Sequence, residues 1–163
     1  MALWQYDFTL IPEFGLIEHY GIVPDRIDDY FYDSDQPESN DSPNYWTQFD
    51  SEASFADDAR SLLGILDSWT GEALTFGTED GNKIEIWKEG DVNCRLDIRS
   101  PDLEVLETIL RTTRKNRCLV LSHHSHRVLK PEMCVLLEDI RSSSAYRFCK
   151  DPKGLLSGTK PKE

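Results

Sequence analysis

No apolar run in this 163-residue chain is long enough to cross a bilayer. The longest runs, such as Cys118-Leu119-Val120-Leu121, fall far short of the ~20 residues a spanning helix needs. The opening Met1-Ala2-Leu3-Trp4-Gln5-Tyr6-Asp7 carries neither a basic region nor an apolar segment of the kind that directs secretion. These absences predict a cytoplasmic protein. The phosphate-cradling patterns G-x-G-x-x-G and G-x-x-x-x-G-K-S/T are missing, and so is the nucleophile elbow G-x-S-x-G. Glu79, Asp80 and Asn82 lack the spacing of a calcium-binding loop and predict a plain turn. The four cysteines, Cys94, Cys118, Cys134 and Cys149, contain no C-x-x-C knuckle, which excludes a zinc framework of the usual spacing. In a reducing compartment they are expected as buried free thiols. No cofactor is implied, and no catalytic centre can be read.

Positive charge is missing from one segment. Between Glu13 and Asp58 there are thirteen carboxylates and a single cation, Arg26. That segment accounts for the entire formal charge of −12, because the remainder is balanced at seventeen of each sign. A field of this sign repels nucleic acid and anionic lipid and favours a cationic protein partner.

The chain does contain enough to fold: 39% apolar and 10% aromatic residues, at about the length of one domain. Trp4, Tyr6, Phe8 and Leu10 alternate with Gln5, Asp7 and Thr9, the period of a half-buried strand. Phe14–Tyr20 predicts a short helix or turn. A helix is expected from Asp57 or Asp58 through Asp67. Strands follow around Leu74–Phe76, over Lys83–Lys88 and over Val92–Arg99, joined by tight turns as an antiparallel meander. Ser100-Pro101-Asp102 predicts a helix start, with a capping Ser and Pro in the first turn. That helix closes on Arg111, Arg114 and Lys115, with Asn116 as a left-handed cap. Cys118–Leu121 predicts a buried strand. Lys130-Pro131-Glu132 opens a last helix that continues or kinks at Ser142-Ser143-Ser144. The assembled expectation is an α+β fold: an antiparallel sheet of about five strands with helices packed mainly on one face. It comprises one domain over 1–153, with an acidic loop at about 33–44 and a flexible tail over 154–163.

Two clusters could carry function. The first is the acidic region with interleaved aromatics. Aromatic side chains are enriched at interface centres, and surrounding acid steers a basic partner. Its candidate interface residues are Asp28, Asp29, Tyr30, Tyr32, Asp33, Asp35, Trp46, Asp50, Glu52, Asp57 and Asp58. The second is Ser122-His123-His124-Ser125-His126, after a predicted strand. Its spacing puts His124 and His126 on one strand face, a pattern compatible with a metal-dependent or hydrolytic enzyme. A structural or regulatory subunit that self-associates through its sheet or acidic loop is a further alternative; the polar strand face of Arg95, Asp97 and Arg99 is either an interface or a solvated face with cross-strand ion pairs.

Three stretches, Trp4–Pro12, Cys94–Arg99 and Ser143–Pro152, resemble small bacterial immunity proteins of the polymorphic-toxin type. The resemblance implies a cytosolic, non-enzymatic inhibitor that binds the effector domain of a toxin made beside it. No catalytic or cofactor-binding residue carries over.

Overall fold

The computed structural model describes residues 2–30, 43–68, 70–88 and 90–156. Among these, the chain runs β1 (Gln5–Pro12), α1 (Glu13–Tyr20), α2 (Ser51–Leu62), β2 (Ile65–Leu66), β3 (Ala73–Gly77), β4 (Lys83–Trp87) and β5 (Val92–Asp97). It continues through α3 (Leu103–Lys115), β6 (Cys118–Ser122), β7 (Val128–Leu129), α4 (Met133–Ser142), α5 (Ser144–Lys150) and α6 (Pro152–Leu156). The expected α+β character holds. The expected strand count does not: the sheet has seven strands, in the order β2-β3-β4-β5-β1-β6-β7, and every pairing is antiparallel. The additional strands are β2 and β7. Each is two residues long and gains its character from hydrogen bonds to a neighbour, not from its own pattern.

The meander β3-β4-β5 follows the sequence expectation, and β5 buries Val92, Cys94 and Leu96 on alternate positions. The first strand departs from its expectation. All eight residues of β1 are buried, not only Tyr6, Phe8 and Leu10. The strand is hydrogen-bonded on both edges, to β5 and β6, and both of its faces are covered. On one face Tyr6, Phe8 and Leu10 join Phe55 and Ala59 of α2, Leu106, Ile109 and Leu110 of α3, and Leu136 and Ile140 of α4. On the other face Ile11 joins Leu16 of α1 with Ile27, Tyr45 and Leu121. Each such fully buried apolar side chain contributes about 1.5–3 kcal/mol of transfer free energy.

Helix boundaries follow capping chemistry. Asp50, not Asp57 or Asp58, opens α2: its carboxylate accepts from the Ala53 amide at 3.0 Å. The helix stops at Leu62, so Ile65 and Leu66 lie in β2 and not in the helix expected through Asp67. Asp102 outcompetes Ser100 as the cap of α3, accepting from the Glu104 and Val105 amides at 3.0 and 3.1 Å. Asn116 is the C-cap, but its φ is −91°. The left-handed conformation passes to Arg117, at φ 53°. Ser143 separates α4 from α5 and serves both: its hydroxyl donates to the Ile140 carbonyl at 2.6 Å and accepts from the Tyr146 amide at 3.2 Å. Helix α1 ends on Gly21 in the left-handed region at φ 77°, where glycine avoids the Cβ clash of other residues. Within that helix a side chain at Gly15 would overlap the Tyr45 carbonyl, so this glycine lets α1 lie directly against the backbone at Tyr45.

All four cysteines are free; Cys94 and Cys118 are buried as expected, whereas Cys134 is exposed and Cys149 half-buried. Burial pushes the Cys118 thiol up to about 12 and the Cys94 thiol up as well, so neither is a ready nucleophile. No described helix is long and apolar enough to cross a membrane.

Candidate functional site

The acidic segment is assembled around α1. The Tyr20 hydroxyl at its end donates to Asp29 at 2.9 Å and shares a 2.7 Å hydrogen bond with Tyr45. Gln48 reaches back and donates to Glu18 at 2.8 Å. The chain on either side of the undescribed 31–42 is therefore tied to one helix. Asp28 is held by the Arg26 guanidinium, with Nε at 2.8 Å, and by His126 Nδ1 at 2.8 Å. Those partners, Arg26 first, hold its carboxyl down at about 2.

The candidate interface residues divide. Asp28, Asp29, Asp50, Glu52 and Asp57 are exposed. Asp57 pairs with Arg60 at 3.2 Å, one turn along α2. Asp58 turns inward and accepts from the Thr112 hydroxyl at 2.6 Å, fastening α2 to α3. Trp46 is core: it is buried, donates its indole N–H to the Leu10 carbonyl at 3.2 Å, and meets Phe55 edge to face. Tyr30 is partly buried; it stacks on Tyr45 and donates to Asp91 at 2.5 Å. Tyr32, Asp33 and Asp35 lie outside the described residues.

Beneath this surface runs a buried polar network that no sequence motif marks. Thr9, fully buried, donates to Asn93 Oδ1 at 2.7 Å. Its oxygen lies 2.7 Å from His123 Nε2. With the Thr9 proton given to Asn93, the ring donates from Nε2. Burial lowers the His123 pKa, which favours the neutral ring, and burial raises that of Asp91 against the Tyr30 hydrogen bond. The Thr9 hydroxyl is enclosed, whereas His123 is half-buried.

The histidines do not converge. They occupy the β6–β7 hairpin turn, not one strand face, which corrects the expectation for His124 and His126. His123 points to Thr9, His126 to Asp28, and His124 is exposed. His126 takes a left-handed φ of 59° to make the turn. Among the described residues no three His, Cys, Asp or Glu side chains are placed to hold a metal ion. The turn is anchored from below: Ser122 Oγ donates to Asp139 at 2.6 Å and accepts from the amides of His124 and Ser125. Tyr6 also donates to Asp139, at 2.6 Å. Burial alone would raise the Asp139 pKa, but hydrogen bonds from Ser122, Ser125 and Tyr6 outweigh it and hold the carboxyl below its ordinary value.

The polar face of the meander holds paired charges. Arg95 Nε donates to Asp7 at 2.9 Å across the β1–β5 register, and Lys83 pairs with Glu85 at 3.1 Å. These four residues, with Asn93 and His123, line a hollow of about 220 Å³. Arg99 pairs with Asp97 at 2.7 Å and lies over the Trp4 ring, 4.2 Å from its centroid. Arg95, Asp97 and Arg99, an alternative interface in the sequence reading, are each charge-paired within the fold. Asp7, Thr9 and Asn93 escaped sequence reasoning because a polar residue on an alternating strand reads as solvated, and Asp91 because it reads as part of a tight turn.

Comparison with protein-family models, with characterised proteins and with solved structures finds no match for this chain.

Proposed function

We propose that this chain is a non-enzymatic binding protein that neutralises a basic protein domain by direct contact, as an immunity-type inhibitor acting in the cytoplasm. The observation that carries the reading is the confinement of the whole excess of negative charge to residues 13–58. Across the balanced part of the chain, ion pairs join opposite signs: Arg95 with Asp7, Lys83 with Glu85, Arg99 with Asp97 and Arg114 with Glu107. In the acidic segment, Asp25, Asp29, Asp50 and Glu52 are exposed and make no ion pair among the described residues. Such a surface is complementary to a cationic partner and accelerates its encounter. In this reading α2, α3 and α4 form the layer that backs the sheet, and α1 with its flanking segments forms the binding side. Polar groups enclosed as Thr9 is can only support that side from within.

The test is a pull-down with the full chain as bait against the products of neighbouring genes, at low and moderate salt. A salt-sensitive complex with a basic protein is expected. Reversing Asp25, Asp29 and Glu52 to Lys then slows association by about tenfold or more, and Asp25→Lys/Glu52→Lys, which spares the Tyr20–Asp29 hydrogen bond, slows it with little change in the melting temperature. No complex at either salt rejects the reading, and unchanged association after reversal places the contact elsewhere.

A further inference from the structure

The exposed large apolar side chains of this molecule are not all scattered. Phe14 and Ile17, three positions apart on α1, share one side of the helix and are 49% and 43% exposed. Phe49, 42% exposed, meets Phe14 edge to face with ring centroids 6.0 Å apart. The Gln48–Glu18 hydrogen bond beside them fixes the turn that carries Phe49 to α1, so the three side chains form one surface on two elements. Single exposed apolar residues are ordinary, whereas a contiguous group of aromatics on a soluble surface marks a contact.

The border of this group is anionic. Glu13 and Glu18 flank Phe14 and Ile17 in the chain, and Asp50 and Glu52 follow Phe49; none of the four makes an ion pair among the described residues. The Arg117 carbonyl accepts from the Glu13 amide, which brings one cationic residue next to Glu13. An apolar centre with a carboxylate rim disfavours nucleic acid and anionic lipid, and it disfavours the same face of a second copy, because each would bring like charge together. It suits a partner whose apolar side chain enters the centre while flanking cations meet the rim.

We propose that Phe14, Ile17 and Phe49 are the docking centre for a basic protein segment presenting one or two large apolar side chains between lysines or arginines. This rests on the binding function proposed above and locates its contact on α1 and the turn before α2.

The test uses two fluorescein-labelled peptides of equal length and equal positive charge. One has Leu-Phe at the centre of a Lys/Arg sequence, and the other has Ser-Ser there. Polarisation titrations against the full chain are expected to give about tenfold tighter binding of the Leu-Phe peptide, ~1.4 kcal/mol. The double variant Phe14→Ser/Phe49→Ser is expected to bind both peptides alike, and Glu18→Lys/Glu52→Lys to weaken both. Circular dichroism checks the fold of each variant, with Ile17→Ser as a milder substitute. Equal affinity of the two peptides for the unaltered chain, or a preference that survives Phe14→Ser/Phe49→Ser, overturns the docking centre while leaving cationic recognition intact. Sedimentation showing self-association that Phe14→Ser/Phe49→Ser abolishes gives the patch to a second copy and also overturns it. Failure of both peptides to bind overturns the docking centre, and if the neighbouring-gene screen is also empty, the proposed function falls with it.

Discussion

Thr9 shows how much a single side chain can settle in this fold. Its hydroxyl links Asn93 to His123, and it is fully enclosed. Thr9→Val keeps the shape and removes the hydrogen bonds to Asn93 and His123 from an enclosed site. A loss of roughly 1–3 kcal/mol is expected in urea unfolding, whereas Thr9→Ser, which retains the hydroxyl, should lose less. His123 adds a pH signature. Its folded pKa is lowered by burial, so above the ordinary value of 6.5 the ring is neutral in both states and contributes no pH dependence. As pH falls below 6.5 the unfolded chain takes up the proton first, and stability declines until the folded ring protonates too. His123→Gln should flatten the urea midpoint between pH 7 and 5.5, about the range in which an ordinary histidine titrates, relative to the unaltered chain. Equal slopes in the two proteins would show that the ring is not held neutral. Asp28 acts in a separate window: its lowered carboxyl contributes stability above its ordinary 3.8 that is lost as pH falls toward about 2. Asp28 and His123 stood out in sequence, but the enclosed network at Thr9 did not. Thr9 and Asp7 alternate with apolar residues and read as solvated, and their polar partners come from 84 to 114 positions away.

At the scale of elements, what was legible had an internal pattern or a strong cap. Strand β5 alternates over its whole length and lies where expected but for its last two residues, and the meander and α3 were legible too, the helix starting at Leu103 and not at Pro101. Strands β2 and β7 were not legible, because two residues carry no period and are strands only by pairing. The start of α2 was missed for a different reason. Asp50, Asp57 and Asp58 are all plausible caps, and the choice falls to Asp50 because Phe55 and Ala56 must reach the core in the first two turns. Of the candidate interface residues, the exposed carboxylates were legible from charge alone. The inward turn of Trp46 and Tyr30 was not, since an aromatic in an acidic segment serves a core or an interface equally well. Helix α1 supplies the prediction at this scale. Gly15→Ala drives a methyl into the Tyr45 carbonyl, so α1 must shift or Tyr45 must leave its place against Ile11 and Leu16. Destabilisation of about 1–3 kcal/mol is expected, with loss of near-ultraviolet dichroism from the tyrosine cluster. Gly71→Ala, with open space around its Cα, is the matched control and should be near neutral. If both behave alike, the close approach of α1 does not contribute to stability.

For the molecule as a whole, the question is whether the net charge or its placement governs association. The two are separable here because the excess is confined to residues 13–58 and the remainder is neutral. Three reversals in the acidic segment, Asp25, Asp29 and Glu52 to Lys, remove six units of charge from −12. Reversing Glu79, Glu104 and Glu138, all exposed and outside that segment, removes the same six. The two variants then have identical net charge and differ only in local field. At physiological ionic strength, fields are screened over about 8 Å, so charges remote from a contact affect it little. If the acidic segment is the binding side, the first variant should associate with its basic partner about tenfold more slowly and show a flatter salt dependence. The second should associate nearly as fast as the unaltered chain. Stopped-flow association at two salt concentrations makes the measurement. Equal slowing in both variants would mean that the partner senses only total charge, and the concentration of acid in one segment would then serve solubility. Slowing in the second variant alone would move the binding side to the face bearing Glu79, Glu104 or Glu138.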